Sequence, residues 1–164
     1  MTVRVLADSM RVDLQVQRAT VSAATPDDQQ FQGWAELALN NREGDYTLAI
    51  RIVDEAEGQR FNRQYREQDH ATNVLSFPAE LPVGLPADVV QSQLGDLLMC
   101  APVVAREAME QGKTELDHWA HLTVHGVLHL LGYDHQDQTG AGEMEALEIE
   151  ILAKSGISNP YQDM

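Results

Sequence analysis

Three histidines stand at the spacing H-x3-H-x5-H in His125-Gly126-Val127-Leu128-His129-Leu130-Leu131-Gly132-Tyr133-Asp134-His135. On an α-helix, residues four apart lie one turn above each other, so His125 and His129 can aim both imidazoles at one point. Gly132 can take the left-handed conformation that ends a helix, letting the chain turn back and bring His135 to the same point. Three neutral imidazoles at about 2.0–2.1 Å leave a fourth tetrahedral position open to water, the arrangement of a catalytic rather than a structural zinc. The spacing therefore predicts a metalloenzyme with one zinc ion on His125, His129 and His135.

His121 lies one turn before His125, and His118 three residues before His121. His121 and His129 are about 12 Å apart along the helix axis at 1.5 Å per residue, so three turns cannot share one ion. His118 and His121 are read as packing residues or as groups that orient a ligand from behind.

Several elements must position this helix. The chain has 164 residues, the length of one domain, and can bury a core without staples, so a metal serves chemistry more than folding. Its single cysteine, Cys100, sits in the apolar run Leu97-Leu98-Met99-Cys100 and reads as a small buried hydrophobe rather than a nucleophile. No intrachain disulfide is possible, Met1 to Arg11 has no apolar run of the length a signal peptide needs and no stretch approaches a membrane span, so the expectation is a soluble, cytoplasmic protein. Net charge is −15, from 26 acidic and 11 basic residues. Such a chain repels polyanions at long range, and any nucleic-acid role must rest on a local basic patch.

Residues 11–17 alternate polar and apolar, the pattern of a half-buried strand. Thr25 as cap and Pro26 in the first helical position start a helix with Phe31, Trp34, Leu37 and Ala38 on one face, ending near Asn40-Asn41. Tyr46 to Val53 reads as a central strand and Glu55 to Glu67 as a polar helix with Phe61 and Tyr65 four apart. Residues 72–77 read as a short strand closed by Pro78, and the strand-helix-strand run over 46–77 is long enough for a parallel crossover unit. Residues 78–93 read as a proline-rich loop and Leu94 to Cys100 as a last strand, able to pair antiparallel beside 72–77. Helices follow at 102–112, 115–131 and roughly 140–154, with Gly112 and Gly132 as stops. The helix 115–131 is apolar nearly all round and so is placed at the centre of the core. The predicted fold is α+β: a single domain with a mixed, mostly parallel four-stranded sheet and an antiparallel edge strand, packed with about five helices around a buried zinc-binding helix.

H-x-x-x-H-x-x-G-x-x-H is also the zinc-helix pattern of metzincin proteases, but Gly126 stands where those have the glutamate that activates the zinc water. With Gly126 in place, His125-Gly126-x-Leu128-His129-Leu130-x-Gly132-Tyr133-Asp134-His135 resembles the YbeY family of bacterial metallo-endoribonucleases. Asn62-Arg63-Gln64-Tyr65-Arg66 with Asp69 and Thr72-Asn73-Val74-Leu75-Ser76-Phe77-Pro78 looks like that family's second block, and Leu94-Gly95-Asp96 like its third. The matches run from about residue 55 to 150 in the family's order, and Phe61 stands where the family more often has leucine. The resemblance implies a cytoplasmic, zinc-dependent nuclease of single-stranded RNA, acting in 3′-end maturation of 16S rRNA and in ribosome quality control. It implies the small ribosomal subunit and assembly factors as partners, with neither DNA nor membrane among them. It also implies His125, His129 and His135 as metal ligands and Arg66 as the functional arginine.

Arg60, Arg63 and Arg66 recur every three residues on one helix, with Arg51 in the preceding strand. They form either a substrate-binding stripe or a solvated face paired with Glu55, Glu57 and Glu67. For Arg66 the substrate role is preferred, because a planar guanidinium grips phosphate through two hydrogen bonds and offsets charge on the transferred phosphoryl group. Asp134, Glu143 and Asp96 are the candidate bases. Each could instead orient a histidine, and the RNA's own 2′-hydroxyl is a further candidate nucleophile. Tyr133 could stack on a base or pack, Met144 reads as a core methionine, and Gly126 is read as permitting close approach to the metal. Two other functions stay open: a non-catalytic ribosome-assembly factor with a structural zinc, and a metalloprotease-like hydrolase, against which Gly126 argues.

Overall fold

The computed structural model describes residues 12–39, 42, 44–66, 72–133 and 138–161. Its elements run β1 (Val12–Ala19), α1 (Asp28–Ala38), β2 (Tyr46–Val53), α2 (Glu55–Arg66), β3 (Val74–Pro78), α3 (Ala87–Ser92), β4 (Gln93–Cys100), α4 (Ala101–Gln111), α5 (Glu115–Leu130) and α6 (Gln138–Lys154). This is the expected α+β fold, five long helices and one short one on a four-stranded sheet of order β1-β2-β4-β3. Strands β1, β2 and β4 are parallel, and β3 is the antiparallel edge. Among the described residues, no helix is long and apolar enough to cross a membrane.

Three local expectations are corrected. The parallel crossover from β2 runs to β4, not to the strand at 74–78, which pairs antiparallel with β4 in the register Leu75 to Leu98 and Phe77 to Asp96. The first helix is capped by Asp27 rather than Thr25: its carboxylate accepts from the Gln30 backbone N–H at 2.8 Å, and the Gln30 side chain accepts from the Asp27 N–H at 2.9 Å. That reciprocal pair satisfies two otherwise orphaned donors, whereas the Thr25 hydroxyl accepts from Arg18. Within the stretch read as loop, residues 87–92 form the short helix α3.

One face of the sheet carries the main core, where Leu48, Ile50, Ile52, Leu97 and Met99 meet Phe31 and Trp34 of α1, Trp119 and Val127 of α5, and Met144 and Leu152 of α6. Phe31 meets both tryptophans edge to face, at 5.7 Å from Trp34 and 6.0 Å from Trp119. The opposite face buries a smaller cluster of Val53, Leu75, Leu98 and Cys100 under α2, whose Phe61 packs against it. Burial pushes the Cys100 thiol pKa up, so it stays an unreactive hydrophobe as expected.

Helix α5 is central, with Trp119, Leu122, Val124, Val127 and Leu128 buried. Thr114 caps its start by accepting from the Asp117 N–H. At its end Gly132 has φ +106° and the Tyr133 N–H returns to the Leu128 carbonyl, which is the stop expected of that glycine. Gly126 has a different role from the one expected. A Cβ there would lie 2.7 Å from a Leu97 methyl, so the glycine lets α5 settle onto β4, and the close approach is to the sheet rather than to a metal. Ser76 of β3 adds a hydrogen bond to the Gly126 carbonyl at 3.4 Å.

Because Leu97 is fully buried and has little room to move, Gly126→Val should destabilise the protein by about 1–3 kcal/mol. A urea-denaturation midpoint equal to that of the unsubstituted protein would contradict this reading of the contact.

Candidate metal centre

Four histidines follow one another along α5. Ring centroids are 6.2 Å apart for His118 and His121, 6.2 Å for His121 and His125, and 5.5 Å for His125 and His129. The His125 and His129 rings stand edge to face at 81°, the juxtaposition that a four-residue spacing dictates. His135 and Asp134 lie outside the described residues.

Behind His125 lies a carboxylate that is entirely withdrawn from solvent, that of Glu148 on α6. Its Oε2 accepts from His125 Nδ1 at 3.0 Å, and its Oε1 accepts from His121 Nε2 at 2.7 Å and from the Tyr161 hydroxyl at 2.5 Å. Burial by itself pushes the Glu148 pKa up. The combined hydrogen bonds from His121, His125 and Tyr161 outweigh it and hold the group at about 2, so Glu148 is ionised and can only accept. Burial, stronger than the pull of Glu148, lowers the His121 pKa and keeps that ring neutral. Burial and the same carboxylate push the Tyr161 hydroxyl up, so it remains a donor.

His121, His125 and Glu148 each offer one ligand atom, all within 4.8 Å of one another, a cluster compatible with a metal site. The donor chemistry fits an ion on the far side of His125. An acceptor-only carboxylate requires the His125 proton on Nδ1, which places the ring's lone pair on Nε2, the form in which imidazole binds a metal. With His129 one turn on, the donors are imidazole nitrogens, which suit zinc.

His118 turns away from this cluster. Its Nε2 meets Glu107 of α4 at 2.8 Å, and the Glu107 carboxylate also accepts from the Asn73 amide at 3.0 Å, so the group ties α4 and α5 to the start of β3. His121 contacts Glu148 and is itself one of the three groups close enough to share an ion, while His118 is buried against Glu107. Burial raises the Glu107 pKa, but the hydrogen bonds from His118 and Asn73 together leave it below its ordinary value.

Arg60, Arg63 and Arg66 are exposed along α2. Glu57 holds Arg51 at 2.5 Å, as one of the two expectations had it, Glu55 meets Arg106 at 3.5 Å, Glu67 lies outside the described residues, and Arg60 lies over the Phe61 ring at 5.9 Å. Tyr133 is half-buried against the main core, and Met144 is buried within it. Glu143 is exposed on α6. Asp96 cannot serve the histidines. It neighbours Leu97, which faces Gly126, so strand alternation sends Asp96 to the opposite sheet face. There it lines a groove of about 670 Å³ with Asp13, Glu80, Phe61, Tyr65 and Phe77.

Sequence reasoning missed Glu148 and Tyr161. The signal for Glu148 was present: Met144, Glu148, Ile151 and Leu152 follow helical spacing, so a carboxylate occupies a position on the apolar stripe of α6, where an unpaired charge would be prohibitively costly.

An α+β protein with a histidine-bearing helix at its core is the class these features define. The family model "Endoribonuclease YbeY" matches residues 14–156, and the chain belongs to that family. Relatives named Endoribonuclease YbeY from Pseudomonas putida (strain W619) and Stenotrophomonas maltophilia (strain K279a) are each 57% identical over 152 residues, covering 93% of this chain and 94% of theirs. The one from Xanthomonas axonopodis pv. citri (strain 306) is 55% identical over the same share. The solution structure of TM1509 from Thermotoga maritima shares the fold, with a TM-score of 0.53 at 23% identity over 90% of this chain and 99% of that one.

The lowered Glu107 pKa carries a pH dependence. A carboxylate stabilised in the folded state contributes stability above its ordinary pKa of 4.5, and that contribution is lost as pH falls through the lower folded value. The urea midpoint should therefore drop between about pH 5 and about pH 3, and less steeply in Glu107→Gln. Parallel pH profiles for the two proteins would contradict the assignment.

Proposed function

We propose that this chain is a zinc-dependent endoribonuclease that cuts single-stranded RNA at one ion held by His125, His129 and His135. The observation that carries the reading is the hydrogen bond from His125 Nδ1 to the buried Glu148 carboxylate, which prepares that ring to bind a metal beside His129 on the next turn. Membership of a family named for endoribonuclease activity makes RNA the substrate.

When bound, zinc supplies Lewis-acid polarisation of a phosphate oxygen and lowers the pKa of water at the open position. The chain's own groups do the rest. The rigid, buried α5 holds two imidazoles at fixed separation, which removes the entropy cost of assembling them. Arg66, exposed at the end of α2, grips the phosphate and offsets its growing negative charge. Arg60 and Arg63 continue that cationic edge along the RNA backbone, and Tyr133, partly buried beside the core, stacks on a base of the RNA. Asp134, next to His135, orients that ligand or takes the proton of the attacking hydroxyl.

The biological setting that fits is the cytoplasm and the ribosome: maturation of the 16S rRNA 3′ end and quality control of small subunits. A chain of net charge −15 binds free RNA weakly, so the small subunit and its assembly factors would deliver the substrate. The same charge favours the second reading, an assembly factor with a structural zinc. The protease reading loses ground, because Gly126 supplies no carboxylate where a zinc-water base would stand, and it serves instead to bring α5 close to Leu97.

The test is cleavage of an end-labelled single-stranded RNA by zinc-loaded protein beside identically purified His129→Ala and Arg66→Ala. The expected result is internal cleavage by the unsubstituted protein, background for His129→Ala, and a loss on the order of 10²–10³-fold for Arg66→Ala. Equal cleavage in all three lanes would mean a contaminating nuclease and would put the assembly-factor reading first.

A further inference from the structure

The carboxylate behind His125 is held by groups far apart in sequence. After α6 the chain reverses at Gly156, where the Ile157 N–H returns to the Leu152 carbonyl, and the following segment brings Tyr161 back over α5. The Tyr161 ring packs edge-on against His121, with centroids 5.2 Å apart, and its hydroxyl reaches Glu148. Glu148 thus receives three donors, one from the C-terminal segment and two from α5, and all three lie within 3.0 Å.

We propose that Glu148 is a positioning residue for the metal site, anchored by Tyr161 and His121 so that it accepts the Nδ1–H of His125 and commits that ring's Nε2 to the metal. The proposal rests on the reading of His125 and His129 as ligands. A buried carboxylate with a single donor would be poorly compensated for its lost hydration, and the anchoring pair supplies the rest of the compensation. Each donor consumes one of the carboxylate's lone pairs, and the ionised carboxylate has no proton to give, which fixes the direction of all three bonds; the Tyr161 hydroxyl oxygen also lies 3.1 Å from His121 Nε2. His121 Nε2 gives its proton to Oε1, so its Nδ1 carries the lone pair. That atom is buried without a hydrogen-bond partner among the described residues, a state less costly for a lone pair than for an N–H. A ligand histidine backed by a carboxylate keeps one tautomer and one ring orientation and becomes more basic toward its ion.

The experiment compares the full chain with Glu148→Gln and Tyr161→Phe. Long-range ¹H–¹⁵N correlation reads the His125 tautomer in the metal-free protein, and competition against a chromophoric chelator reads zinc affinity. An amide offers one acceptor and one donor face, so in Glu148→Gln one of the two histidines loses its acceptor. The expected result is a mixed His125 tautomer and zinc binding weakened by about 10–100-fold. Tyr161→Phe keeps the carboxylate and loses one anchor. It should keep the Nδ1–H tautomer, shift the His125 Nδ1–H resonance and weaken zinc binding less than Glu148→Gln does. Should Glu148→Gln fail to fold by circular dichroism, Tyr161→Phe decides, and an unshifted resonance with unchanged affinity overturns the proposal. So does a folded Glu148→Gln with the original tautomer and affinity. Cobalt(II) that still binds Glu148→Gln but shows an altered ligand-field spectrum, as loss of an oxygen ligand would give, would make Glu148 a ligand itself and equally overturn it. A starting protein that takes up no zinc overturns the site reading, which separates that failure from failure of this proposal.

Discussion

How closely helix α5 approaches strand β4 is set where Gly126 meets Leu97, and the position of every histidine on the helix follows from that contact. No side chain intervenes, so the helix lies deep enough to bury Trp119, Val124 and Val127 and to leave His121, His125 and His129 half-buried along one edge. A helix packed on its other sides cannot rotate without opening voids, and close-packed cores resist that strongly. Rigidity of the imidazole pair is therefore a by-product of core packing rather than a separate device.

The second layer of control is electrostatic. A carboxylate fully withdrawn from water survives ionised because three donors meet its two oxygens, and two of those donors belong to the histidine face of α5. The arrangement couples α5, α6 and the C-terminal segment through one anion. Glu107 acts similarly on the other side, joining α4, α5 and β3 through His118 and Asn73, although its carboxylate is only partly buried. The two acids hold successive histidines of one helix, Glu107 holding His118 and Glu148 holding His121 and His125.

Much of this was legible in the residues. The four-residue histidine spacing needs only helix geometry, and the stops at Gly112 and Gly132 only the left-handed backbone, seen at φ +68° and +106°. Strand and helix types followed from period-two and period-3.6 patterns, and the antiparallel pairing of the strands at 72–77 and 94–100 was expected and is observed. What escaped were the facts that depend on partners distant in sequence. Which strand completes a crossover is decided by pairing, so β3 joined β4 antiparallel where local pattern allowed a parallel unit with β2. Gly126 looked like a door to the metal because its neighbours are ligands, while its reason lies on Leu97 in another element. Asp27 outcompeted Thr25 as cap because Gln30 answers it, a pairing visible only when the two are read together. Glu148 was hidden by context, since Glu145 and Glu150 beside it are exposed and only its place on the apolar stripe marks it out.

The site proposed for this chain holds its ion on the far side of His125 from Glu148, on imidazole nitrogens alone among protein atoms. Crystals of the zinc-loaded chain, with an anomalous-difference map calculated at the zinc edge, test it most directly. The expected map has one peak bonded to His125 and His129 through Nε2, with His135 as third ligand and Glu148 retained on His125 Nδ1. A peak lying between His121 and Glu148 instead, with the carboxylate bonded to the ion, would contradict it.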